Sequence, residues 1–263
     1  MPWVEVNNIK LYYEESGSGQ PLLLLMGLGY PSGMWFRQVP ELSQRFRVIV
    51  LDNRGVGRSD KPDEPYTIEL MASDAAGLLD ALGLKGIGVA GVSMGGYIAQ
   101  TLARLRPELV GRLALLATSA GGPRFMELTR NVWQELAKLA GLPPEEIIRG
   151  GMALAVTPEF FASRLDLIER SVRVRLAAPQ PLYAWSRQFT ASSGFDGLAQ
   201  AGQITQPTLI LAGARDQVMP LVLTQELAVA IPQARLIVYP DSGHLLFLEK
   251  AAEVNQVLTE FFG

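Results

Sequence analysis

The segment Ile87-Gly88-Val89-Ala90-Gly91-Val92-Ser93-Met94-Gly95-Gly96 decides how this chain is read. Ile87–Val92 is an apolar run of strand type, and the residues after Ser93 suit a helix running to about Arg106, before Pro107. Between them lies the pattern G-x-S-x-G at 91–95. A tight strand-to-helix turn forces its central residue into strained backbone geometry. Small residues two before and two after are needed to avoid collision. Ser93 is then expected to project from the carboxyl edge of a sheet, where the first N–H groups of the following helix also point. A glycine-rich turn with an incidental serine is the plainer reading; the strand–turn–helix context favours a nucleophile.

Outward from this turn, short apolar runs recur. Val4–Val6 and Leu11–Tyr13 form an opening strand pair around the Asn7-Asn8 turn. Leu22–Met26, Val48–Leu51, Leu113–Ala117, Thr208–Leu211 and Leu236–Tyr239 suit strands of a parallel sheet buried on both faces. Helical spacing fills the gaps: Ile68, Met71, Ala72, Ala75, Leu78, Leu79 and Leu82 form one apolar stripe, stopped by Gly83. Val254, Val257, Leu258 and Phe261 form another. The alternation implies an α/β sheet with helices on both faces. It breaks after Thr118, where helical segments (124–139, 144–155 and 158–176) appear without a convincing strand. The expected organisation is a core of residues 1–120 and 203–263, with a helical cap over 121–202.

Composition narrows the chemistry. The chain has 263 residues, no cysteine and a single histidine, His244, which excludes disulfides, thiol nucleophiles and nearly every zinc pattern. No metal and no cofactor are expected. The net charge of −3 gives no basic surface for nucleic acid or membrane binding. The N-terminal stretch lacks the basic flank and apolar run of a signal peptide, so a cytoplasmic location is expected. Arg54-Gly55-Val56-Gly57-Arg58 lacks phosphate-loop spacing and reads as a structural loop.

A serine hydroxyl needs a base, and His244 is the only imidazole. It follows the last expected strand, again at the carboxyl edge. The acid that orients it is assigned to Asp216, after the strand Thr208–Leu211. Asp241 is expected to shape the turn before His244, Asp196 lies at the end of the cap, and Asp52 is expected to close the Asn53–Gly57 loop. The oxyanion hole is assigned to the backbone N–H groups of Met94 and Leu28, with Gly27 turning the backbone so that the Leu28 N–H faces the site. The cap aromatics, among them Trp133, Phe160, Phe161, Trp185 and Phe189, are expected mainly to pack cap helices together, a few lining an apolar pocket.

The segments Met26-Gly27-Leu28-Gly29, Asp52-Asn53-Arg54-Gly55-Val56-Gly57-Arg58-Ser59, Gly91–Gly96, Gly213-Ala214-Arg215-Asp216 and Gly243-His244 together resemble the α/β-hydrolase superfamily over essentially the whole chain. The order Ser93…Asp216…His244 is that of this superfamily. The resemblance implies an eight-stranded, mostly parallel sheet with a helical cap after strand six. Within the superfamily the chain looks like small capped carboxylesterases, enol-lactonases and cofactor-free haloperoxidase-type enzymes. It departs at Met26-Gly27, where most relatives have His-Gly, so the side chain that often helps order this loop is missing. The expected activity is hydrolysis of a small, largely apolar ester or lactone through an acyl-enzyme. The alternatives are perhydrolase or haloperoxidase chemistry at the same residues, or a receptor-like protein that binds a ligand and hardly turns over.

Overall fold

A computed structural model describes residues 2–263 of the chain. Its strands are β1 (Trp3–Val6), β2 (Ile9–Ser16), β3 (Gln20–Leu25), β4 (Phe46–Leu51), β5 (Ile87–Val92), β6 (Val110–Leu116), β7 (Thr208–Gly213) and β8 (Ala234–Tyr239). Among the described residues they form one eight-stranded sheet in the order β1-β2-β4-β3-β5-β6-β7-β8. The pairs β1–β2 and β2–β4 are antiparallel; every other pair is parallel. This is the α/β-hydrolase fold that the sequence resemblance implies.

The apolar runs alternate between two cores. Leu23, Leu25, Ile49, Val89, Leu113, Leu115 and Ile210 face one side, where they pack with Met71, Leu78, Ile98 and Leu102. Leu22, Leu24, Val48, Val50, Ala90, Leu116 and Leu211 face the other, against Trp35, Phe247, Val254 and Leu258. A strand whose successive side chains are buried on opposite faces can carry apolar residues continuously, which is why these runs lack polar alternation. Helix Ile68–Ala81 covers the first face. It starts where Thr67 Oγ1 accepts the Leu70 N–H at 3.0 Å, and Gly83 at φ +66° ends it. Among the described residues, no helix is long and apolar enough to cross a membrane.

Between β6 and β7 the chain forms helices Pro123–Leu128, Arg130–Ala137, Pro144–Ala155, Pro158–Ser163, Leu165–Leu176 and Leu182–Ser193. Pro123, Pro144 and Pro158 each begin a helix, where a missing N–H costs nothing. The two feet of this insertion are tied together: Gly122 N–H donates to Phe195 O and Gly197 N–H to Ala120 O, both at 2.8 Å. Two helices read as continuous in the sequence are interrupted. The first breaks at Thr129, whose Oγ1 donates back to Phe125 O at 2.7 Å and accepts Trp133 Nε1–H at 2.8 Å. The second breaks at Arg164, which leaves helical geometry at φ −122° and ψ 46°.

One buried ion pair braces the loop after β4. Arg54 and Asp74 are almost wholly enclosed, and the guanidinium meets the carboxylate through two bonds, Nε–Oδ2 at 2.5 Å and Nη2–Oδ1 at 2.8 Å. Asp74 Oδ1 also accepts from Asn7 Nδ2 at 2.8 Å. The Arg54-Gly55-Val56-Gly57-Arg58 loop is thus anchored to helix Ile68–Ala81. Asp74→Ala leaves a buried guanidinium without its fork partner and is expected to cost about 3–5 kcal/mol. In a chain of this size, the thermal midpoint should fall by roughly 10 °C. A thermal melt of the variant that matches the parent protein would refute this role.

Candidate active site

Because β3 and β5–β8 run parallel, their carboxyl ends share one edge of the sheet. Ser93 directly follows β5 and precedes helix Met94–Leu105. Its backbone sits at φ 55° and ψ −123°, left-handed geometry that a side chain seldom adopts. Its surroundings enforce this. A Cβ at Gly91 would lie 2.2 Å from Gly95 O, and a Cβ at Gly95 would lie 2.2 Å from Leu25 O. The turn is braced from just beyond β6, where Thr118 Oγ1 donates to Ser93 O at 2.8 Å. Beneath it, burial pushes the Tyr97 phenol well above its ordinary pKa, so it stays protonated 3.2 Å from Ser119 Oγ.

Asp216 and His244, 28 residues apart, come together on the loops after β7 and β8. His244 Nδ1 lies 2.8 Å from Asp216 Oδ2, and both residues are buried. The other carboxylate oxygen, Oδ1, accepts the N–H groups of Val218 at 2.8 Å and Met219 at 2.7 Å. The loop therefore fixes which oxygen faces the imidazole. Among the described residues, Ser93 Oγ stands at the same sheet edge without a hydrogen bond to His244.

The remaining acids fall elsewhere. Asp52 is buried and ties the loop after β4 to the segment after β3, accepting Arg58 N–H at 2.8 Å and Ser32 N–H at 2.6 Å. Asp241 pairs with Lys250 on the surface at 2.6 Å. Asp196 forms a bridge with Gly121 at the foot of the insertion.

The loop after β3 lies against Ser93. A Cβ at Gly27 would sit 3.0 Å from Ser93 Cβ, so the absence of a side chain there permits close approach. The left-handed position of this loop is Gly29, at φ +73°. Tyr30 N–H donates to Gly27 O at 3.3 Å, which fixes the Gly27–Leu28 peptide plane. The Leu28 N–H of the same peptide points opposite to Gly27 O and has no hydrogen-bond partner among the described residues. Met94 is the first residue of its helix, so its N–H also has no acceptor within the helix.

Three residues support these loops through bonds that the sequence reading did not assign. Asn53 Nδ2 donates to Met26 O at 2.9 Å. Gln188, from helix Leu182–Ser193, accepts the Gly29 N–H on Oε1 at 3.0 Å. Glu249 Oε2 accepts Ser242 Oγ–H at 2.6 Å and the Gly243 N–H at 2.7 Å, and its Oε1 accepts the Thr157 N–H. The loop carrying His244 is thereby tied to the insertion, and Leu245 N–H adds a bond to Ala155 O at 2.9 Å. The aromatic stack Trp185–Phe189, with centroids 5.2 Å apart, stands over the Gly29 side of the site, where a Cβ on Gly29 would lie 3.2 Å from Trp185 Cδ1.

Known proteins resemble this chain over most or all of its length. The solved enol-lactonase of Burkholderia xenovorans is 27% identical, covers 99% of each chain and superposes with a TM-score of 0.88. A thermophilic esterase of Thermogutta terrifontis is 31% identical, with 98% of this chain and 95% of that one covered and a TM-score of 0.84. A poly(3-hydroxyalkanoate) depolymerase of Ectopseudomonas oleovorans is 32% identical over 92% of this chain and 83% of its own length. The family model for the alpha/beta hydrolase fold matches residues 20–251, nearly the full length from β3 to the start of the last helix, and the chain belongs to that family.

Proposed function

We propose that this chain is a serine hydrolase of carboxylic esters or lactones with small, largely apolar substrates. The observation that carries the reading is the 2.8 Å Asp216–His244 bond on the same sheet edge as the strained Ser93 turn. Ser93 Oγ attacks the carbonyl carbon while His244 Nε2 takes its proton. Asp216 holds Nδ1 protonated and stabilises the imidazolium that forms. The negative oxygen is received by the Leu28 and Met94 N–H groups. His244 then protonates the leaving alcohol and activates a water that clears the acyl group. The missing Ser93–His244 bond is compatible with this sequence of steps, because such contacts tighten when substrate closes the site.

The segment 121–202 acts in this reading as the cap, with Trp185 among the residues that line the acyl pocket. Substrate class is supported by the apolar aromatic wall at Gly29 and by the likeness to an enol-lactonase and an esterase. A fluorophosphonate probe is expected to add one phosphonyl group, found by mass spectrometry on the peptide containing Ser93. Purified protein should turn over members of an acyl-chain and lactone panel. Absence of both labelling and turnover would overturn the reading.

A further inference from the structure

We propose that Gln188 is a positioning residue that sets the oxyanion-binding Leu28 N–H from within the helical insertion; this rests on the serine-hydrolase reading. The side chain is fully buried, and all its bonds reach loops of the sheet edge or its neighbour Gln180. Oε1 accepts the Gly29 N–H at 3.0 Å and Gln180 Nε2–H at 3.1 Å. Nε2 donates to Arg54 O at 2.7 Å. One partner is a backbone donor and another a backbone acceptor, so the amide has only one satisfied orientation.

The consequence falls on a single peptide. Asn53 grips the start of the loop at Met26 O, and Gln188 grips its end at Gly29 N–H. The Leu28 N–H lies between these two anchors. Gly29, at φ +73°, is the flexible point, and without the bond to Gln188 its peptide is free to rotate. Arg54 O, the other partner of Gln188, belongs to the loop braced by the Arg54–Asp74 pair. Gln188 therefore carries rigidity from that loop to the oxyanion loop. It does so in a chain where residue 26, which opens that loop, is methionine and offers no polar side chain.

The test compares the intact protein with Gln188→Met, which keeps length and volume but none of the three bonds. An ester substrate, a trifluoromethyl ketone that forms a tetrahedral serine adduct, and an unreactive amide analogue are measured in parallel. Misplacing one donor by about 1 Å should lower kcat about 100-fold, with KM within twofold. Affinity for the ketone should fall by a similar factor, while affinity for the amide stays unchanged. A folded variant with kcat within threefold of the parent overturns the proposal. So does equal loss of ketone and amide affinity, which would place the residue in pocket shape alone. If Gln188→Met does not fold, Gln188→Asn, a shorter amide, must give the same split; loss of fold in both would mean a purely structural role. An inactive, unlabelled parent protein would instead defeat the serine-hydrolase reading itself.

Discussion

Ser93→Ala is expected to lower kcat on a short p-nitrophenyl ester by on the order of 10⁶-fold, with the fold intact. The size follows from how the groups cooperate. A nucleophile and its base act as one unit, so removing either costs about as much as removing both. His244→Ala should therefore match Ser93→Ala, and the double variant should be no worse than either. What persists is the rate given by the oxyanion donors and binding alone, on the order of 10³- to 10⁴-fold over water. The chain has one histidine, so no neighbouring imidazole can take over in the His244 variant. Alanine at position 93 retains a side chain on a left-handed residue, so the strained turn is unchanged in kind. Steady-state kinetics with active-site titration by a fluorophosphonate checks both losses. Full activity in Ser93→Ala would sink the mechanism.

Asp216→Asn should lower kcat on the order of 10⁴-fold while leaving the thermal midpoint nearly unchanged. The surrounding loop dictates why. Two N–H groups, from Val218 and Met219, converge on Oδ1 and require an oxygen there. The amide of the variant must therefore turn its NH2 toward His244 Nδ1. That NH2 is a donor, so Nδ1 becomes an acceptor and the ring proton moves to Nε2. An Nε2 already carrying hydrogen cannot accept the Ser93 proton. With a single histidine in the chain, nitrogen NMR of labelled protein reads this tautomer without overlap. The proton is expected on Nδ1 in the parent protein and on Nε2 in the variant; the same tautomer in both would refute the account.

The parts of the fold legible in the sequence were those with local signatures. Strands buried on both faces left continuous apolar runs, and the Ser93 turn left glycines where backbone atoms pass within a side chain's reach. Asp216 and His244 were legible because each follows a strand end, and parallel strands bring such ends together. The helix Leu182–Ser193 was not read from the sequence, for a physical reason. Its buried positions are Ala184, Gln188 and Ala191, so the face turned inward is small or polar and leaves no apolar stripe. The reach of Gln188 to Gly29 spans 159 positions and follows no spacing rule. Glu249 and Asn53 were missed on the same ground: each bonds backbone groups, which every residue possesses and no sequence pattern marks. The close approach of Gly27 to Ser93 was not legible, because a glycine can serve close approach as well as a turn, and the letters do not separate the two.

The ties between the insertion and the sheet-edge loops set rules for exchanging that segment with one from a related protein. On the His244 side the donor is the backbone of residue 157, so a graft there needs only a residue other than proline, and Glu249 stays behind with the host. On the Gly29 side the anchoring group is a side chain on the incoming piece, and a transplant lacking an amide at position 188 should leave the host with Ser93, Asp216 and His244 in place but its Gly27–Gly29 loop unanchored. Recombination points chosen by sequence similarity alone would overlook this asymmetry, whereas a chimera that carries Gln188 brings the missing anchor with it.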